Sequence, residues 1–480
     1  MLRRDRRDGG GVHRLSVSQR ETLTVRIETN WAAKGRKPMI GSVRKGVRRL
    51  TSALPTGTTS VGVGLAISSI TAYAFVVIAL NSLSGDTKAA FSGFWAVVFV
   101  IGPGFFLPLE QEVARALAHR RAQGVGGRPL VLRAIRMGAA LTTILVVAVL
   151  VATPWLADAM FNGEDFFAFS LALSLVSFCM LHLTRGVLAG EGSFRSYGEV
   201  LAIDATVRMI LAIGLAVLGV DSGGMYALCL GVSPLIALPI VLLRAKLRVA
   251  PGPDAPYSEL SVNLGWLLGA SVLVQLVSYA PLLGVNLLST DADTAIVTGF
   301  ASAFFVARLP ILAFQAVQGT LLPKLAGLAG AGQHDEFRRG FSRLMVVVVG
   351  IAVAGTAGAF FLGPFVGGIL FKDFTMSAGG LALLSAGSGV FIIALTIAQA
   401  LVALGDHRVT TIAWSLGLIG SMIVMATVSG LELRVDLGFL VGSTISGVTM
   451  GIALFLEQRK MDSTEIGALV DVLEHEPLEL

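Results

Sequence analysis

Apolar residues in this chain come in long unbroken runs, separated by short segments where Asp, Glu, Lys and Arg collect. Twelve such runs can be counted, near residues 60–82, 90–109, 136–157, 166–190, 199–219, 223–246, 264–288, 294–326, 342–365, 378–404, 408–430 and 434–456. Each has about the twenty residues that an α-helix needs to cross a bilayer core. None shows the period-two alternation of a membrane-barrel strand. The pattern predicts an all-α integral membrane protein with about twelve transmembrane helices, since a helix satisfies its own backbone polar groups in lipid.

The runs also repeat. Asn81-x-Leu83-Ser84-x-Asp86 returns as Asn286-x-Leu288-Ser289-x-Asp291, in each case between the first two spans of a set of six. Gly93-Phe94 then matches Gly299-Phe300, Pro103 matches Pro310, Leu107-Pro108 matches Leu322-Pro323, and Gly190-Glu191 matches Gly405-Asp406. The offset drifts only from 205 to 215, so one insertion of about ten residues explains the series. Two related six-helix lobes are the build of many transporters. The chain divides into a basic arm (1–55), an N-lobe with spans 1–6 (56–250), a C-lobe with spans 7–12 (251–460) and a short tail (461–480).

Composition agrees: 54% of residues are hydrophobic and 14% charged, where soluble domains carry about 25% charged residues. Mean hydropathy is +0.78. The charges are unevenly placed. Arg120, Arg121, Arg128, Arg195, Arg244, Lys246, Arg248, Arg338, Arg339 and Arg408 follow even-numbered spans, whereas the segments after spans 3, 5 and 7 carry only acids. Lys372 and Arg434 weaken this asymmetry slightly. By the positive-inside rule both termini are cytoplasmic, in a multi-pass protein of the cell membrane. With six spans per half the lobes are parallel, related by an axis along the membrane normal.

The first fifty residues hold fourteen Lys or Arg against four acids, so under the overall charge of +6 the remainder is slightly acidic. This arm reads as a disordered segment lying on anionic lipid. The alternative is that translation starts at Met39. Its first apolar run begins too late and is too long for a signal peptide, and no aromatic or folded surface accompanies the basic residues, so no nucleic-acid partner is expected. Cys179 and Cys229 lie within spans and read as small apolar residues. There is no phosphate-binding loop and no metal-ligand spacing, hence no expected cofactor.

Chemistry is expected where polar residues interrupt the spans, because an ionisable group at mid-membrane costs about 2.5–3.5 kcal/mol on insertion scales. Arg308, in span 8 two residues before Pro310, is the foremost case. It either pairs with a carboxylate or faces a cavity as an anion site, where a guanidinium offers bidentate bonds to phosphate. Asp204 and Arg208 lie four residues apart on one face of span 5, either as a structural pair or as a coupling site. Arg185 and His182, near the inner end of span 4, read as interface anchors or, with Arg208, as a basic vestibule. Gln275 and Tyr279 in span 7 and Gln315 and Gln318 in span 8 could serve sugar hydroxyls or act as interhelical glue. Glu110, Glu112 and Arg115 close span 2 as a gate or latch, or as a plain solvated helix end. Prolines 103, 108, 234, 239, 281 and 310 should kink or break their spans.

Phe106-Leu-Pro-Leu-Glu-Gln-Glu-x-x-Arg115 at the end of span 2, and Leu-Leu-Pro-Lys324 at the end of span 8, set in two parallel six-helix lobes, resemble the multidrug/oligosaccharidyl-lipid/polysaccharide exporter (MOP) superfamily. Within it, residues 55–460 are similar to bacterial Wzx-type polysaccharide-biosynthesis flippases, and only the Leu107-Pro108-x-Glu110 core is carried over. The resemblance implies a cationic cavity between the lobes. That cavity would accept the head of a polyprenyl-diphosphate-linked oligosaccharide, with Arg308 on the diphosphate and alternating access moving it. Partners would be the lipid-linked glycan, membrane lipid and glycan polymerase or ligase machinery. A cation-coupled multidrug antiporter is the alternative. That branch wants an acid deep in span 1, where this chain has only Ser68, Ser69, Thr71 and Tyr73, with Asp204 the nearest substitute. A glycan-assembly enzyme is disfavoured by short outer loops, so the protein is expected not to be an enzyme.

Overall fold

A computed structural model describes residues 58–475, apart from 246, 262–263, 313, 315–326, 328–332 and 373. The basic arm of residues 1–55 lies outside the described residues. Among these, twelve helices are long and apolar enough to cross a membrane, and no strand is present. The first six are α1 (Thr58–Ser82), α2 (Gly85–Ala122), α3 (Arg128–Met160), α4 (Phe166–Gly190), α5 (Phe194–Val217) and α6 (Gly223–Ala245). After a single turn at Ser258–Ser261 come α7 (Leu264–Leu288), α8 (Thr294–Ala307), α9 (His334–Leu370), α10 (Ala378–Ala403), α11 (His407–Thr427) and α12 (Leu431–His475). Several helices outrun their apolar stretches: α2 continues to Ala122, and α12 runs on to His475, into the segment expected to be a tail.

The helix pairing of the first six is repeated by the second six. In the first set α3 and α6 pack on α4, α2 packs on α4, and α5 packs on α6; in the second, α9 and α12 pack on α10, α8 on α10, and α11 on α12. The repeated polar motifs lie on one common face. There Asn81 donates to the Leu370 carbonyl (2.7 Å) and accepts from the Lys372 N–H (2.9 Å). Asn162 donates to the Asp86 carbonyl (3.1 Å), Thr87 to Asp221 (2.7 Å) and Arg434 to the Leu288 carbonyl (2.7 Å). Asn286 donates to Ser92 of α2 at 3.1 Å and lies beside Gly93, where a β-carbon would collide with the Met160 carbonyl. Each motif asparagine thus reaches toward the end of the other half's third helix. Six spans per half with both motifs on one face make the halves parallel, as the repeat predicts.

The opposite, basic face carries exposed Arg121, Arg128, Arg244 and Arg408. On it the segment joining the halves is pinned to the first half. Arg120, 4% exposed, donates to both Glu259 oxygens and to the carbonyls of Gly126, Pro253 and Asp254 at 2.7–3.0 Å. Arg133 bonds both Asp254 oxygens at 2.7 and 2.8 Å and sits 4.8 Å over the Tyr257 ring. α7 packs on α2 as well as on α11 and α12, so it is the seam between the two halves.

Glycine sets the closest crossing. A β-carbon on Gly64 of α1 would run into the Gly198 carbonyl of α5, and one on Gly198 into the Ser60 carbonyl. The same crossing recurs between α7 and α11 with more room, where a β-carbon on Gly269 would meet only the Thr411 methyl at 3.5 Å. Small residues let membrane helices touch backbone to backbone, and extra volume in a packed contact costs about 1–3 kcal/mol.

Gly64→Ala should therefore lower the melting temperature in detergent by several degrees while Gly269→Ala leaves it unchanged. Equal effects at the two sites would contradict the crossing as described. A second outcome concerns Asp221, which accepts from the Ser84 N–H and from the hydroxyls of Ser84 and Thr87. Burial opposes its charge, but these bonds together hold its carboxyl below the ordinary 3.8. A depressed carboxylate contributes stability that is present above its unfolded value and is lost as pH falls through the folded one. The stability difference between the wild type and Asp221→Asn should thus be constant from neutral pH down to about 5 and shrink below about 4. A difference that grows on acidification would contradict this.

Candidate functional site

A cavity of about 430 Å³ lies between α1, α2, α4, α5, α7 and α8, and so spans the seam. Its position in depth follows from the helices. Leu65, Leu107, His182 and Arg185 lie toward the basic face; Asp204, Arg208 and Arg308 lie at mid-depth; and Tyr73, Trp95, Phe99, Tyr279 and Phe305 lie toward the far face. Among the described residues, three guanidinium groups, of Arg185, Arg208 and Arg308, line the wall against a single carboxylate, Asp204.

Arg308 sits at a break in span 8, where the sequence expects Pro310 to kink or break the helix. The α-helix of α8 stops at Ala307, and Arg308 (φ −92°, ψ 1°) forms a turn. The Ile311 N–H returns to the Arg308 carbonyl at 2.9 Å. Pro310 has no N–H to give the Val306 carbonyl, which is why the helix loosens here. Its ring presses on Gly355 of α9, where no β-carbon would fit. The guanidinium donates to the Ser278 carbonyl (2.7 Å) and hydroxyl (2.8 Å) of α7. It lies 4.6 Å over the Tyr279 ring and 4.7 Å over Phe304. These partners are neutral; among the described residues no carboxylate pairs with it.

The other cavity charges are matched. Arg208 donates to Asp204 Oδ2 at 2.6 Å, and the Ser233 hydroxyl of α6 donates to Oδ1 at 2.8 Å. The expected pair within span 5 therefore forms, with a third partner from α6. Glu110 of α2 is buried behind the wall. It meets His182 Nδ1 at 2.7 Å and Arg185 at 3.2 Å, and accepts from the Tyr197 hydroxyl at 2.8 Å. Arg185 in turn donates to the Tyr197 oxygen at 2.8 Å. This network ties α2, α4 and α5 together.

The span-2 cluster is split by this arrangement. Glu110 turns into the first half, whereas Glu112 and Arg115 pair along α2 at 2.7 Å, with Arg115 also donating to the Glu259 carbonyl at 2.9 Å. They line a second cavity of about 610 Å³ on the basic face, with His119, Ser258, Glu259 and His407. Of the residues singled out from sequence, Arg308, Arg208, Arg185, His182, Tyr279 and Asp204 share the central cavity. Gln275 is not among the residues lining it, and Gln315 and Gln318 lie outside the described residues. Sequence reasoning missed Trp95, Phe99 and Tyr197, which carry no signal beyond being aromatic in or beside a span. It counted Arg120 only as loop charge, although the linker buries it.

No protein-family model matches the chain. Two uncharacterised proteins of Mycobacterium tuberculosis are similar to it: one is 24% identical over 397 residues (80% of this chain, 89% of the relative), the other 25% identical over 419 residues (84% and 93%). Among solved structures, an inward-facing multidrug resistance MATE family transporter of the MOP superfamily superposes with TM-score 0.64 at 14% identity, covering 84% of this chain and 99% of that one. A MOP superfamily transporter from Pyrococcus furiosus, described as having a binding pocket of reverse polarity that suggests a different function, gives 0.62 at 15% identity over 85% and 95%. This chain has the fold of the MOP superfamily transporters.

Proposed function

We propose that this protein is a transporter that moves a polyprenyl-diphosphate-linked glycan across the cell membrane by alternating access, for cell-surface polysaccharide synthesis. The observation that carries the reading is Arg308: a half-buried guanidinium on a cavity wall, held by neutral partners, in a helix break at the seam of two lobes. A charge kept in an apolar span without a counter-ion is costly and marks a ligand or ion path. Its planar fork suits the oxygens of a diphosphate. Arg208 and Arg185 line the same cavity, each compensated by one carboxylate, so the uncompensated charge is that of Arg308. The lipid tail would stay in the bilayer while the head passes between the lobes, and both termini would lie in the cytoplasm, on the side of the basic face. The reverse-polarity pocket described for the Pyrococcus furiosus protein is a precedent within this fold for a cavity of changed charge.

A cation-coupled multidrug antiporter is the second reading, favoured by Asp204, a carboxylate on the cavity wall, and by the MATE transporters among the structural neighbours. In that case proteoliposomes bearing a proton or sodium gradient would export a cationic dye, and Asp204→Asn would stop it. The glycan-lipid reading expects no gradient-driven dye export.

Arg308→Ala should abolish complementation of a strain lacking its lipid-linked glycan flippase, while the variant accumulates in the membrane and elutes as a single species in detergent. Arg308→Lys should restore only part of the activity, because a point charge cannot reproduce bidentate contacts. Were Arg308 a structural partner, removing it would cost about 3–5 kcal/mol and the Ala variant would fail to accumulate. A well-folded Arg308→Ala protein with full activity would remove this arginine from the mechanism.

A further inference from the structure

The last carbonyls of a helix have no partner within it, so each helix end takes its donors from elsewhere. On the far face α9 takes one from the other half of the molecule. Asn81, at the end of α1, donates its amide N–H to the Leu370 carbonyl at 2.7 Å, and its amide oxygen accepts from the Lys372 N–H at 2.9 Å. One half-buried side chain thus bridges two backbone groups where α9 ends. Asparagine suits the task, because its amide holds a donor and an acceptor side by side. The Lys372 ammonium adds a contact to the Asn81 carbonyl at 3.4 Å. The second asparagine of the repeat is placed for the same bridge but does not make it. Pro364, Phe371 and Lys372 follow Pro154, Phe161 and Asn162 at a constant offset of 210. The Met160 carbonyl and the Asn162 N–H are therefore the counterparts of the groups that Asn81 holds. Asn286 stands close by: a β-carbon on Gly93 would lie 2.6 Å from the Met160 carbonyl and 3.3 Å from the Asn286 amide oxygen. Its amide nitrogen instead donates to the Ser92 hydroxyl at 3.1 Å and to the Leu282 carbonyl of its own helix at 2.7 Å.

We propose that Asn81 is the latch that holds the far face shut, and that its bridge to the end of α9 must break before the lobes part on that side. The proposal rests on the lobes working by alternating access. The two fastenings are unequal. Parting at Asn81 releases two backbone groups at once, and no other bond of its side chain is left behind. Parting at Asn286 releases only the Ser92 hydroxyl, and the amide keeps its hold on Leu282. Asn81 therefore sets the balance between closed and open far faces, and Asn286 adjusts it. A hydrogen bond that water can replace contributes little net free energy, so two of them bias the equilibrium without freezing it. A latch of that strength suits a face that must open in every cycle. The rest of the repeated motif stays within its own half: Ser84 bonds Asp221, and Ser289 returns to the Asn286 carbonyl. Of the motif residues, only the asparagines are thus seen to reach across the seam.

The test reads distances between spin labels by pulsed electron resonance, on the full-length protein in phospholipid vesicles. One labelled protein carries Asp165→Cys and Ser429→Cys, at exposed positions on the far face of either half; a second carries Ala118→Cys and Arg339→Cys on the basic face. Both native cysteines are buried. With Asn81 intact one far-face distance should dominate. Asn81→Leu should raise the population of a longer distance about tenfold, with the basic-face pair drawing together in the same fraction of molecules. Asn81→Ser, smaller and still polar, should do the same, so the outcome does not depend on one variant folding. Ser92→Ala should raise that population about threefold or less. Thr87→Ala, which removes a bond inside the first half, should leave it unchanged. Far-face distances that stay as they were in both Asn81 variants, or a larger effect from Ser92→Ala, overturn the latch and leave alternating access standing. A far face that lengthens with no change on the basic face overturns alternating access, and the latch as its control falls with it.

Discussion

A guanidinium in the middle of a bilayer must be answered by something, and the central question about this molecule is what answers Arg308. Desolvating a full charge costs several kcal/mol even after relaxation, and a neutral carbonyl, a hydroxyl and two ring faces return part of that cost. The arrangement of Ser278, Tyr279 and Phe304 around it keeps the charge in place without neutralising it. The other two arginines of the cavity differ in this respect, for Asp204 and Glu110 take up their charge. The result is a wall whose net charge is positive at one point, at the depth where a helix is interrupted and two lobes meet.

The internal repeat explains where space for that cavity comes from. In the second half, α11 crosses α12 through glycine and serine: a β-carbon on Gly417 would collide with the Gly442 carbonyl and the Ser446 hydroxyl. The corresponding crossing of α5 on α6 carries Asp204, Arg208 and Ser233. The α11–α12 crossing is thus zipped tight by small residues, whereas the α5–α6 crossing is held by polar groups, of which Asp204 and Arg208 line the cavity. The far face is closed by Asn81 and Asn286 reaching across the seam, and the joining segment is fixed to the first half by Arg120 and Arg133. One face is thus held together across the seam, and the linker is anchored to the first lobe.

Much of the fold is legible in the sequence because a bilayer leaves few options. Long apolar runs can only be helices there, and Asn81/Asn286 and Pro103/Pro310 mark equivalent places in two halves. Charged site residues are legible for a related reason: Arg308, Asp204 and Arg208 stand out in apolar spans because each needs a physical justification. Partner geometry is not legible. Glu110 and Glu112 are two residues apart on one helix, about 200° around its axis, so they serve different sites. Whether Gln275 looks into the cavity depends on the rotation of α7, which packing against three helices sets. Trp95 and Phe99 look like ordinary core residues until Tyr279 and Arg308 are placed against them. Arg120 looks like one loop arginine among many until the linker folds over it.

Mass spectrometry of lipids that stay with the protein during gentle purification from its own membranes tests the central claim most directly. Wild-type protein should carry a polyprenyl lipid with a diphosphate and at least one sugar, and Arg308→Gln, purified in parallel and equally folded, should carry the same bulk phospholipids without it. Equal retention of such a lipid by both proteins, or its absence from the wild type, would contradict the account.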